Sequence, residues 1–202
     1  MINFTLVDSF AGIKDIFQRP LIVGASVSAD YRTESPGKIV ALQYTELNKI
    51  KVVAQNGQPA KEMITRITEN SLKDRTAIIG FDLFFWDSFQ STPEPSLKAM
   101  EKLFKLAKAH HLQLILGEVP ELVPHYQKSV VKINQQMRKH CNAYGNCKII
   151  PLHKITLNVL SDGFISYNGK KYLLKELLPD GLHISRPASE YLAAEILKLY
   201  SI

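Results

Sequence analysis

Short apolar runs rich in β-branched residues alternate along this chain with longer stretches whose apolar residues recur every three or four positions. The runs are Leu21–Val23, Lys51–Ala54, Ala77–Ile79, Leu112–Leu116 and Lys148–Leu152. Several are apolar almost throughout, as expected of parallel strands covered on both faces. The periodic stretches are Ile39–Lys49, behind the Pro36-Gly37 breaker, then Leu97–Ala109, Val130–Ala143 and Pro187–Tyr200. In the second of these, Leu97, Met100, Leu103, Phe104 and Ala107 share one helical face behind Pro93-Glu94-Pro95-Ser96. Alternation of this kind predicts a doubly wound α/β fold, a three-layer αβα sandwich around a five-stranded parallel sheet of flavodoxin-like type.

No internal repeat or linker interrupts the rhythm, so residues 1–202 read as a single domain with an N-terminal extension over 1–20. One segment departs from it. Phe164–Tyr167 and Lys170–Leu173 flank Asn168-Gly169, the pair that best signals a two-residue hairpin. Residues 162–178 are therefore expected to form a hairpin insertion at the edge of a site.

Composition narrows the classes. The chain has 202 residues, 46% hydrophobic and 22% charged, which is ordinary for a globular domain. No apolar run nears the ~20 residues of a transmembrane helix. Met1–Pro20 carries Asp8, Lys14, Asp15 and Arg19 and does not read as a signal peptide. The expected location is cytoplasmic, or exported if a leader precedes this sequence and Cys141 is bridged to Cys147. Two free thiols are the default, although the turn at 142–146 lets the pair meet. The net charge of +6 does not point to nucleic acid: Lys98, Lys102, Lys105 and Lys108 read as a solvated helix face. There is no arginine cluster, aromatic-basic interleaving or metal-ligand spacing. Neither a metal nor an organic cofactor is expected, and the sequence does not fix an oligomeric state.

The candidate chemistry sits at run exits. Asp180-Gly181-Leu182-His183 places a carboxylate three residues before an imidazole, so one tight turn makes an oriented general base. By itself the pair reads equally as a structural turn. Of six histidines, only His183 has an Asp at this spacing. Upstream, Leu21–Val23 ends in Gly24-Ala25-Ser26, which offers a hydroxyl nucleophile or simply a small-residue strand exit; Ser28 is the rival hydroxyl. The second run exits into Asn56-Gly57, an ordinary turn or a source of oxyanion donors. The third exits into Gly80-Phe81-Asp82, followed by Phe84, Phe85 and Trp86, either core packing or the wall of a substrate pocket.

Taken in order, these blocks resemble the SGNH hydrolases, also called GDSL esterases and lipases, over roughly Leu21 to Tyr200. Gly24-Ala25-Ser26 is similar to the nucleophile block, with Ala25 where the family usually has Asp. Asn56-Gly57 is similar to the block whose Gly supplies an oxyanion N–H. Asp180-Gly181-Leu182-His183, before a terminal helix, matches the final block. The third block departs: the family has Gly-x-Asn-Asp, with the Asn donating to the oxyanion, where this chain has Gly80-Phe81-Asp82-Leu83. An ionised carboxylate there would oppose catalysis. Asp82 is therefore turned away, protonated, or replaced as a donor by Trp86, Asn56 or a backbone amide.

The resemblance implies a serine ester hydrolase acting on a small-molecule or lipid ester through an acyl-enzyme, with no cofactor. Ser26, Asp180 and His183 would be the triad, the N–H groups of Ser26 and Gly57 with Asn56 the oxyanion hole, and Asp82 and Trp86 substrate contacts. Two alternatives stand beside it. One is a non-catalytic binding protein on the same scaffold without an effective oxyanion hole. The other is a flavodoxin-like phosphate binder using Gly24–Ser28 as an anion nest.

Overall fold

The computed structural model describes residues 12–201. Five strands, β1 (Pro20–Gly24), β2 (Lys51–Ala54), β3 (Ala77–Gly80), β4 (Gln113–Gly117) and β5 (Cys147–Ile150), form one parallel sheet in the order β2-β1-β3-β4-β5. The three central strands are buried at every residue, whereas edge strands β2 and β5 are only partly covered. Successive side chains point to opposite faces, so each central strand feeds two cores. Leu21, Val23, Ile78, Leu114 and Leu116 pack on one face against α2 (Ala60–Thr65), α4 (Glu94–Ala109) and α5 (Val130–Tyr144). Ile22, Ile79 and Ile115 pack on the other, with Val40 of α1 (Pro36–Ala41) and Leu192, Ala193 and Ile196 of α8 (Arg186–Lys198). The result is the three-layer αβα sandwich.

Between β5 and α8 run α6 (Leu152–Asp162), the antiparallel hairpin β6 (Phe164–Tyr167) and β7 (Lys170–Leu173), and the single turn α7 (Leu174–Leu177). Asn168 and Gly169 both take positive φ, 50° and 71°, the geometry a two-residue hairpin turn demands. Val159, Ile165, Leu177 and Ala188 bring these elements together in a third, smaller core. A short helix, α3 (Glu69–Leu72), with a Thr68–Ser71 capping box, precedes β3.

Several boundaries differ from expectation. The fifth strand stops at Ile150 because Pro151 has no N–H for the ladder and starts α6 instead, so Leu152 is helical. The stretch Ile39–Lys49 is not one helix: α1 ends at Ala41, and only a 3₁₀ turn over Leu47–Lys49 follows. Tyr44 turns inward to stack on Phe17, its ring centroid 5.7 Å away. Of the expected N-terminal extension 1–20, residues 1–11 lie outside the described residues. Its remainder holds a helical turn over 12–16, and Phe17 is fully buried. Cys141 and Cys147 are joined in a disulfide at the end of α5, not left as two free thiols. No described helix is long and apolar enough to cross a membrane.

Candidate active site

With strand order 2-1-3-4-5, the chain reverses direction across the sheet at β1 and β3, and ligands bind beyond the carboxyl ends of strands at such a point. The segments leaving β1 and β3 meet there. Residues 25–31 wind into a tight turn, with Ala29 N–H donating to Ala25 O and Tyr31 N–H to Ser26 O, both at 3.0 Å. Beneath it lies Asp82. Its Oδ1 accepts from the Ala25 N–H (3.0 Å), the Ser28 N–H (3.3 Å) and the Ser28 hydroxyl (2.6 Å). Its Oδ2 accepts from the Val27 N–H at 2.8 Å. Burial pushes the Asp82 carboxyl above the ordinary range, and these four hydrogen bonds pull it back.

Gly24 makes that approach feasible. A Cβ there would stand 2.2 Å from Asp82 Oδ1 and 2.7 Å from Ser28 Cβ, closer than any side chain tolerates. The clamp also separates the two hydroxyls. Ser28 is fully buried and spends its Oγ on Asp82, whereas Ser26 lines an apolar cleft. Among Ala25, Ser26, Val27 and Ser28, Ser26 alone keeps an N–H with no acceptor among the described residues.

The Asn56-Gly57 turn leaves β2 at the same end of the sheet, tied to β1 by the Gln55 N–H donating to Gly24 O at 3.2 Å. Gly57 takes φ +72°, is exposed, and has no acceptor for its N–H among the described residues; Asn56 is exposed beside it.

The third contribution comes from the turn before α8. Gly181 adopts φ +76°, which folds the chain back so that Asp180 Oδ1 accepts the Leu182 and His183 N–H groups at 3.1 and 2.7 Å. Asp180 Oδ2 faces His183 Nδ1 at 2.9 Å. A carboxylate oxygen can only accept, so Nδ1 carries the ring proton and Nε2 is left as a base. The His183 N–H and imidazole hold the Asp180 carboxyl far below its ordinary range. Two other histidines are engaged elsewhere: His110 pairs with Glu69 at 3.2 Å and His140 stacks on Phe104.

Two residues join this turn to the Ser26 turn, and neither stood out in the sequence. The Tyr31 ring packs on the His183 ring with centroids 4.5 Å apart. Arg32 Nε lies 3.1 Å from Asp180 Oδ2, the oxygen that His183 also uses. The only sequence signal for either is position, five and six residues beyond Ser26. No hydrogen bond links Ser26 Oγ to His183 among the described residues; Tyr31, whose N–H donates to Ser26 O, packs on the His183 ring, and Ser26 lines one cleft with Leu182 and Ile184, the neighbours of His183.

The expected substrate contacts fall differently. Asp82 borders the cleft, but its carboxylate is turned under residues 25–28. Trp86 is not among the cleft residues; it packs between Phe85 and Phe89, at 5.4 and 5.5 Å. Its Nε1 is buried without a partner among the described residues, so its N–H is not directed at the cleft. Phe84 is core and Phe85 borders the cleft. Asp87 is buried and accepts the Ala60 N–H at 2.7 Å, at the start of α2. No group of three His, Cys, Asp or Glu side chains suited to a metal occurs among the described residues.

No protein-family model matches the sequence, and no curated protein does. Solved structures do match the fold. An acetylxylan esterase, Axe2 from Geobacillus stearothermophilus, superposes with a TM-score of 0.70 at 13% identity, covering 92% of this chain and 94% of its own. A member of the lipolytic G-D-S-L family from Veillonella parvula gives 0.65 at 16%, covering 89% and 96%. The psychrotrophic esterase EstA from Pseudoalteromonas sp., in a structure inhibited by monoethylphosphonate, gives 0.57 at 17%, covering 89% and 94%.

Proposed function

We propose that this chain, which has the fold of the SGNH hydrolases, is a serine ester hydrolase. The observation that carries the proposal is the Asp180–His183 pair, its Nδ1 fixed by the carboxylate at 2.9 Å, held through Tyr31 against the turn that bears Ser26. In this reading His183 Nε2 takes the Ser26 proton as Oγ attacks the ester carbonyl carbon, and Asp180 stabilises the imidazolium. The carbonyl oxygen becomes an oxyanion and receives the unpaired N–H groups of Ser26 and Gly57, with the Asn56 amide alongside. Collapse breaks the ester bond, and the imidazolium returns its proton to the leaving alcohol. Water then attacks the acyl-Ser26 by the same route and releases the acid. Asp82 does not oppose the oxyanion in this scheme, because its charge is spent on donors beneath the turn. The Cys141–Cys147 bond supports an oxidising, extracytoplasmic location.

The test is labelling with a fluorophosphonate alongside hydrolysis of p-nitrophenyl esters. Labelling at Ser26 that is lost in Ser26→Ala and weakened in His183→Ala is the expected result. Absence of both labelling and hydrolysis would replace the enzyme with a non-catalytic binding protein on the same scaffold.

A further inference from the structure

We propose that the cleft beside Ser26 is an acyl groove, making the substrate a medium-chain fatty acyl ester in preference to an acetylated sugar; this rests on the serine hydrolase reading above. The groove begins at Ser26 and at the residues flanking His183, so whatever occupies it lies next to the bond that Ser26 would attack. Its inner wall is the loop end of the sheet, with Val27, Phe81 and Phe85. Its outer wall comes from α6, the hairpin, α7 and α8, where Val159, Ile165, Leu174, Leu177 and Leu192 contribute. Apart from Ser26, Asp82, Thr156 and Tyr191, every lining side chain is hydrocarbon, and the Asp82 carboxylate is already satisfied.

That lining selects among esters. A sugar bound there would set its hydroxyls against hydrocarbon and lose their water hydrogen bonds without replacement. An alkyl chain loses nothing of the kind and gains with each methylene it buries. The outer wall is built by the segment between β5 and α8, which packs with α8 in a small core of Val159, Ile165, Leu177 and Ala188. The hairpin insertion thus acts as the far side of the acyl site.

The experiment pairs kinetics with a binding measurement that needs no turnover. On p-nitrophenyl acetate, butyrate, hexanoate and octanoate, kcat/KM is expected to climb by about fourfold per added methylene until the groove is full. Thr156→Trp, filling the groove from α6, lowers the octanoate-to-acetate ratio by about tenfold; Leu174→Trp does so from the hairpin side, and circular dichroism confirms that each variant is folded. Independently, octanoate is expected to displace 1-anilinonaphthalene-8-sulfonate from wild type and from Ser26→Ala. Hydrolysis that is as fast on acetate as on octanoate overturns the groove and leaves the serine hydrolase standing. Displacement without hydrolysis sustains the groove and removes the enzyme. Neither displacement nor hydrolysis removes both.

Discussion

Asp82→Asn distinguishes a carboxylate that builds the turn bearing Ser26 from one that faces a substrate. The substitution is nearly isosteric, so its effect comes from hydrogen bonding. The best placement puts the amide oxygen where Oδ1 now accepts from Ala25, Ser28 and the Ser28 hydroxyl. The NH₂ then meets the Val27 N–H at 2.8 Å, donor against donor. The flipped amide is worse, since it strands the N–H groups of both Ala25 and Ser28. One buried donor left unpaired costs about 1–3 kcal/mol, which lowers the melting temperature by about 2–12 °C for a chain of this length. The turn that loosens carries the Ser26 N–H, so kcat falls toward the ~10²–10³-fold loss that follows removal of one oxyanion donor. Thermal unfolding by calorimetry and p-nitrophenyl ester turnover measure the two effects. If Asp82 instead faced the oxyanion, Asn would trade a repulsive charge for a donor. A variant with unchanged stability and raised kcat would therefore refute the clamp.

Three further outcomes follow from the same geometry. Arg32→Gln removes a cation 3.1 Å from Asp180 Oδ2; without that hold on the carboxylate that orients His183, kcat is expected to fall with KM little changed. Arg32→Lys restores part of the rate, and an unchanged kcat shows that Arg32 has no influence on His183. Replacing Cys141 and Cys147 together by Ser opens a small loop of sequence separation 6 and lowers unfolding stability by about 2 kcal/mol; denaturant melts measure it, and two titratable thiols in the native wild type would contradict the bond. The Tyr200 hydroxyl is buried with no partner among the described residues, and burial pushes its pKa well up, so Tyr200→Phe is expected to stabilise by about 1 kcal/mol. A destabilised variant in the same melts would mean that the hydroxyl has a partner.

Local pattern made the sheet and the Asp180–His183 turn legible in the sequence, while proximity in space kept the rest hidden. Runs such as Leu21–Val23 and Ala77–Ile79 are β-branched and apolar on both alternations, which only a doubly covered strand requires. The Asp180–His183 turn is contained in four residues, so its spacing carries its geometry. The destination of Asp82 depends on a partner more than fifty positions away and on the missing Cβ of Gly24, which no spacing rule connects. The helix α6 was obscured because Ile149-Ile150-Pro151-Leu152 continues a strand-like apolar run, and only the lost ladder donor at Pro151 ends it. Trp86 illustrates the opposite error: an aromatic leaving a strand tip fits a pocket wall and a core equally well by composition, and the rings of Phe85 and Phe89 decide for the core. The apolar cleft beside Ser26 was the least accessible feature. Val159, Ile165 and Leu177 come from a helix, a hairpin strand and a single turn, of which only the hairpin is signalled locally, by Asn168-Gly169. They become a wall only when α8 sets that segment against the residues leaving β1 and β3. The proposed chemistry is therefore written locally, in short turns, and the proposed selectivity globally, in how the segment after β5 packs against the sheet.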